Sequence, residues 1–198
     1  MKIKKQKFSL LADGKKVYLY TISNGNMSFS VTNYGCVITS IIVPGRNGVK
    51  ADIALGSSTF DGVVSSSSYF GAMVGRFANR IGGSKYILNN QEYVLESNDN
   101  DNCLHGGFPF WDKLLWDAEI VKTSNGVGVC FTRVSPDGEQ GMPGNLRVSV
   151  TYILTHLNEI VIKYTAISDK DTPVKFTNHS YFNLSGQKYN IENHVLTM

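Results

Sequence analysis

Apolar and polar residues alternate along most of this chain with a period of two, the spacing that sends successive side chains to opposite faces of a strand. In Val148–Leu154, the residues Val148, Val150, Tyr152 and Leu154 share one face, and Ser149 and Thr151 take the other. In Ile160–Ala166, the residues Ile160, Ile162, Tyr164 and Ala166 alternate with Lys163 and Thr165. The same pattern predicts strands at Val17–Ile22, Met27–Thr32, Val37–Val43, Ala118–Lys122 and Val127–Val134. Turn-forming pairs separate them: Asn24-Gly25, Asn47-Gly48, Asn89-Asn90 and Asn125-Gly126. The last pair lies between two well-patterned strands and predicts a tight hairpin. No long helical pattern with caps appears, and Ser65–Arg80 has room for one short helix or turn. There is no internal repeat, low-complexity tract or Pro/Ser linker. The expectation is one all-β domain over residues 1–198, an antiparallel β-sandwich joined by hairpins, with longer loops carrying the polar motifs.

Composition narrows the function classes. The 198 residues are 42% hydrophobic, with 19 glycines, ten tyrosines and ten phenylalanines, as in a turn-rich globular protein. The formal charge is +3, and lysines cluster only at Lys2, Lys4 and Lys5 and at Lys15 and Lys16. Neither cluster makes the basic stripe interleaved with aromatics that nucleic acid requires, so no nucleic-acid partner is expected. Cys36, Cys103 and Cys130 are odd in number and widely spaced, so neither a disulfide framework nor a structural zinc site is encoded. No stretch approaches the ~20 apolar residues needed to cross a bilayer, and Phe8–Ala12 is too short for a signal-peptide core. The expected location is the cytoplasm, without a membrane partner.

Two polar segments carry the candidate chemistry. Gly75–Gly107 holds GRFANR and NCLHGG; Asn178–Gly186 reads NHSYFNLSG. His105 precedes two glycines that let the backbone turn and leave the imidazole accessible. It serves either as a hydrogen-bond donor or proton carrier, or as a loop histidine bonded to a backbone carbonyl. His179 sits among Asn178, Ser180 and Asn183 on an unusually polar strand face, which favours acid–base work over a structural role. Arg76 and Arg80 flank Asn79 and offer the donor-rich groups that hydroxyl-bearing ligands need; taken alone, they read better as a salt bridge or cap. His105, His179 and His194 show no metal-ligand spacing, so no metal is expected. Glu139, in SPDGEQGMPGN, reads as a charged residue of a surface turn rather than a catalytic carboxylate. GxGxxG, GxxxxGK[ST] and GxSxG are absent, which removes the main support for a dinucleotide oxidoreductase, a P-loop enzyme or a serine hydrolase.

Six phrases in register, DIALG, YFGAMVGRFANRIGG, NCLHGG, WDKLLW, SPDGEQGMPGNL and TPVKFTNHSYFNLSG, resemble the aldose 1-epimerases, the galactose mutarotase family. The resemblance implies a large antiparallel β-sandwich of the galactose mutarotase-like supersandwich type. It implies interconversion of the α and β anomers of a hexose, galactose or glucose, with no cofactor. By the resemblance, His179 donates a proton to the ring oxygen, His105 bonds the same region of the sugar, and Arg76 and Asn79 grip its hydroxyls. The sequence departs from the pattern at Met142, where an aromatic is common, and at Lys175, where asparagine is common. Family members are longer, and the resemblance assigns their general-base glutamate, and a sugar-binding carboxylate, to the C-terminal portion beyond this chain. The apolar run IENHVLTM accordingly reads as part of something longer rather than as an edge strand. The alternative function is a carbohydrate-binding remnant that does not catalyse.

Overall fold

The computed structural model describes residues 1–197. Five strands form the first sheet, in antiparallel order β1 (Lys2–Leu10), β2 (Lys16–Ser23), β3 (Ser28–Thr32), β4 (Ile38–Pro44) and β5 (Lys50–Asp52). A short helix, α1 (Phe60–Ser65), leads into four brief strands: β6 (Met73–Val74), β7 (Arg80–Ile81), β8 (Lys85–Leu88) and β9 (Gln91–Val94). After β10 (Cys103–Leu104) comes a second large antiparallel sheet of β11 (Asp117–Lys122), β12 (Gly126–Ser135), β13 (Leu146–Thr155) and β14 (Ile160–Ser168). Finally β15 (Thr177–Asn178) returns to pair with β6.

The two large sheets contribute their apolar faces to one core. Tyr20, Ile22, Phe29, Val31 and Ile38 come from the first, and Val129, Phe131, Val148, Val150, Tyr152 and Leu154 from the second. Trp111 and Trp116 pack edge to face within the same cluster, with centroids 5.5 Å apart. The period-two alternation thus became burial: along β13 the residues Leu146, Val148, Val150, Tyr152 and Leu154 are inside and Arg147 is exposed. Each of the seven strands expected from that alternation is present, displaced by at most two residues at an end.

The expected helix and the last hairpin need correction, and the two ends of the chain add detail. The helix lies just before the expected region, because Thr59 Oγ1 accepts from the Gly62 N–H at 3.2 Å and caps α1, with Asp61 in its first turn. The last hairpin turns one residue earlier than Asn125-Gly126. Thr123 N–H donates to the Gly126 carbonyl at 2.9 Å, leaving Ser124 and Asn125 at the tip and Gly126 as the first residue of β12. A Cβ at Gly126 would run into the Leu154 backbone, which is why that position takes glycine. The N-terminal lysines are exposed, but on a strand that the pattern did not show: β1 pairs with β2, and Lys5 Nζ lies 4.0 Å from the Tyr18 ring centroid. In the closing segment, residues 191–197 form no strand, and Val195 and Leu196 are exposed. No described helix is long and apolar enough to cross a membrane.

Candidate active site

Four stretches of chain form three sides of a cleft of about 590 Å³, within the range of small-molecule sites. Ser67–Tyr69 forms one side, Ala78–Arg80 with Leu104 and His105 a second, and Lys175, Thr177, His179 and Tyr181 the third. The third side follows from strand geometry, since alternate residues of an extended segment face one way. That segment is fastened along its length. Lys175 N–H donates to the Arg76 carbonyl at 2.8 Å, Ala78 N–H to the Lys175 carbonyl at 2.7 Å, and His179 N–H to the Ala72 carbonyl at 2.8 Å. Thr177 and Asn178 pair with Val74 and Met73 between those contacts.

His105 is held from the other side. β10 pairs with β7, and the chain then adopts left-handed conformations at His105 (φ 57), Gly106 (φ 89) and Gly107 (φ 81). The glycines tolerate this; the histidine is kept there by a reciprocal pair of bonds. Its N–H donates to the Asn79 carbonyl, and the Asn79 N–H donates to His105 Nδ1, both at 3.0 Å. Nδ1 is therefore an acceptor, and the ring proton belongs on Nε2. Burial, followed by the nearby His179 and Arg80, pushes the His105 pKa down to about 4. At neutral pH this imidazole is a neutral hydrogen-bond donor.

His105 and His179 lie edge to face with centroids 5.2 Å apart. Tyr69 touches both rings, at 4.8 and 5.8 Å, and Tyr181 lies 5.2 Å from His179. Burial, then Asp112, raises the Tyr69 pKa, so its phenol keeps its proton. Two imidazoles, two phenols and the Asn79–Arg80 edge thus face one cleft.

Arg76 does not join them. Its side chain is fully buried, and its guanidinium donates to protein acceptors in every direction. Nε donates to Ser135 Oγ at 2.7 Å, and the terminal nitrogens donate to the carbonyls of Ser135, Pro136, Met142, Pro143 and Gly144. No donor remains to hold a ligand, so the structure corrects the expectation of Arg76 as a sugar-binding residue. Arg80, four residues on, lines the cleft instead, with Nε donating to Asp99 Oδ2 at 2.6 Å. Glu139 also differs from its expected place on the surface. Arg133 grips it at 2.7 and 2.8 Å, Trp111 Nε1 donates to it at 3.1 Å, and Ser135 Oγ donates a short bond. Burial pulls its pKa up, but these donors and the Arg133 charge outweigh that and hold it below the ordinary carboxylate value. Among the described residues no cluster of three His, Cys, Asp or Glu side chains could hold a metal ion.

Residues 18–198 match the family model described as aldose 1-epimerase. This chain belongs to the aldose 1-epimerase family. It is 43% identical to the galactose mutarotase of Mus musculus over 190 residues, covering 96% of this chain and 54% of that protein. It is 36% identical to the aldose 1-epimerase of Escherichia coli (strain K12), covering 95% of this chain and 54% of the relative. The crystal structure of galactose 1-epimerase from Lactobacillus acidophilus NCFM superposes with a TM-score of 0.83 at 30% identity, over 92% of this chain and 53% of the other. The chain therefore spans about half the length of these relatives.

In this aldose 1-epimerase family chain, the structure brings His105, His179 and Asn79 to one cleft and leaves Arg76 out. Sequence reasoning passed over Tyr69 and Tyr181, although both stand inside the motifs that carried the resemblance. It also chose Arg76, rather than Arg80, as the sugar-binding arginine. The spacing was the available signal. Arg80 adjoins Asn79 and pairs in register with Leu104, next to His105, whereas Arg76 follows the buried run Gly71–Gly75.

Proposed function

We propose that this cleft binds a hexose and serves the interconversion of its α and β anomers. His179 acts as proton donor to the ring oxygen, and His105 acts as a neutral hydrogen-bond donor through Nε2. Asn79 and Arg80 hold sugar hydroxyls. The observation that carries this reading is the His105–His179 pair itself: two imidazoles 5.2 Å apart in a polar cleft, one locked in a donor tautomer by Asn79.

The chemistry follows from the sugar. Ring opening needs a proton delivered to the ring oxygen while another leaves the C1 hydroxyl. The open-chain aldehyde turns about C1–C2 and closes on its other face with the transfers reversed. A positioned acid such as His179 typically contributes ~100- to 10,000-fold to such a step. Its neighbour helps by staying uncharged, because a neutral His105 does not oppose a proton on His179. The partner base is a separate matter. The described lining of the cleft includes no aspartate or glutamate, and the resemblance assigns that role to a glutamate outside this chain. The same lining favours the second reading, in which these 198 residues bind a sugar without turning it over.

Polarimetry on freshly dissolved α-galactose decides between them. Faster mutarotation than in buffer, abolished by His179→Ala, supports the enzymatic reading. A folded chain that binds galactose but leaves the drift unchanged supports the binding reading.

A further inference from the structure

Tyr69 packs against both imidazoles from a backbone conformation that tyrosine does not favour. Its φ of 56 lies in the left-handed region, where a residue other than glycine is kept only by its surroundings. On its C-terminal side the chain is tied to the His179 segment. Gly71 N–H donates to the His179 carbonyl at 3.1 Å, and Asn178 Nδ2 donates to the Gly71 carbonyl at 2.9 Å. On its N-terminal side the tie is an ammonium. Lys113 Nζ donates to the carbonyls of Val63, Val64 and Ser66, at 3.3, 3.0 and 2.9 Å, and lies 3.2 Å from Asp112 Oδ2. Val63 and Val64 belong to the last turn of α1, whose carbonyls have no partner within the helix, so the cation satisfies what the helix leaves open. The base of this clamp is rigid. Lys113 closes the short turn Trp111–Lys113, in which Trp111 and Asp112 are buried, and the Asp112 backbone lies so close to Gly35 that a Cβ there would meet it.

We propose that Lys113 is a positioning residue of the cleft: by clamping the exit of α1 it holds Tyr69 against His105 and His179 and shields both rings from water. This rests on the reading of the imidazole pair as the proton-handling element of the cleft, and it involves no contact with a sugar. The consequence is chemical. Burial is the first cause of a neutral His105, and a charged His105 would oppose a proton on His179. Arg80, Lys175, His179 and Tyr181, the other described titratable groups lining the cleft, are unchanged in the variants that test this, as is Asp99, the partner of Arg80.

Imidazole proton NMR of the full chain at pH 5 is the experiment. The parent's His105, with a pKa of about 4, is largely neutral there. In Lys113→Met that value is expected to rise by about 1 pH unit, leaving His105 roughly half charged. The double variant Lys113→Met/Asp112→Asn removes both charges of the pair and is expected to show the same rise. A rise confined to the single variant would trace the effect to an unpaired Asp112 and overturn the proposal. Tyr69→Ala is expected to raise the value as well, and adding Lys113→Met to it raises it no further, because the lysine acts through the tyrosine. Full additivity overturns the proposal. So does a parent His105 that is already charged at pH 5, or one that stays neutral in the Lys113 variants. If neither Lys113 variant is folded by circular dichroism, Lys113 belongs to the scaffold and the proposal falls. None of these readouts needs a sugar, so the hexose reading stands or falls separately, by polarimetry.

Discussion

Arg76 and Arg80 stand four residues apart in GRFANR, carry the same charge and occupy opposite environments. Arg76 is buried, and its donors are spent on five backbone carbonyls and the hydroxyls of Ser135 and Thr172. It ties the 135–144 loop to the strand that leads into the cleft. Arg80 is 54% exposed and answers a single carboxylate, so it has donors to offer a ligand. One arginine builds the wall and the other faces into the space the wall encloses. The lesson is that a donor-rich side chain is a candidate for binding only when the protein has not already used its donors.

The largest effect belongs to Arg76. Arg76→Ala leaves buried carbonyls without partners, and ~3–5 kcal/mol of stability should be lost, enough to unfold a marginal domain. A urea midpoint equal to the parent's would return Arg76 to the list of ligand residues. Next comes His179→Ala. Any mutarotation that the chain catalyses should fall ~100-fold or more with little change in the urea midpoint, because the role is chemical rather than structural. Equal turnover would remove His179 as the acid.

Gly106→Ala tests the wall from the other side of the cleft. The position has φ 89, and a Cβ there would meet the Gln140 side chain, which bonds the carbonyls of Gly75, Gly107 and Pro109. A loss of ~1–3 kcal/mol is expected in chemical denaturation; a neutral result would mean that this loop relaxes freely. Arg80→Ala should move stability by no more than ~0.5 kcal/mol, since its ion pair is exposed, while weakening galactose binding about threefold to tenfold. Calorimetry showing unaltered affinity would break the contrast with Arg76.

A further effect is one of pH. The His105 pKa is depressed in the folded state, from 6.5 to about 4, so between those values the unfolded chain binds the extra proton and the folded chain does not. The His105 contribution to stability is thus full above pH 6.5 and is lost as pH falls towards 4. Urea midpoints at pH 7.5 and pH 5 should differ less in His105→Gln than in the parent. The same slope in both would show that other groups set the dependence.

Much of the scaffold was legible in advance. Seven strands followed from alternation alone, because a strand's two faces are defined by its own residues and need no knowledge of the partner. What escaped was local structure whose cause lies elsewhere. β1 hides among lysines, since its partly buried residues are Ile3, Phe8 and Ser9 and its stability comes from pairing with β2. β6, β7, β10 and β15 are two residues long and exist only as cross-connections between distant segments. Glu139 looked like a surface charge because GEQG does not show that the turn folds back on the end of β12, where Arg133, six residues earlier, grips it.

The sequence by itself determined the antiparallel strand framework, the principal turns and the motifs that place the chain among the aldose 1-epimerases. Those are properties of neighbouring residues: side-chain alternation, backbone freedom at glycine and asparagine, and the order of short phrases. Tertiary structure alone decided which histidine tautomer faces the cleft and which arginine is buried. The acceptors of the Arg76 guanidinium lie 59 to 96 positions away, and the Asn79 N–H that sets the His105 tautomer comes from 26 positions away. Whether a polar group is spent or available depends on what packs against it, and the folded chain supplies that from segments remote in sequence.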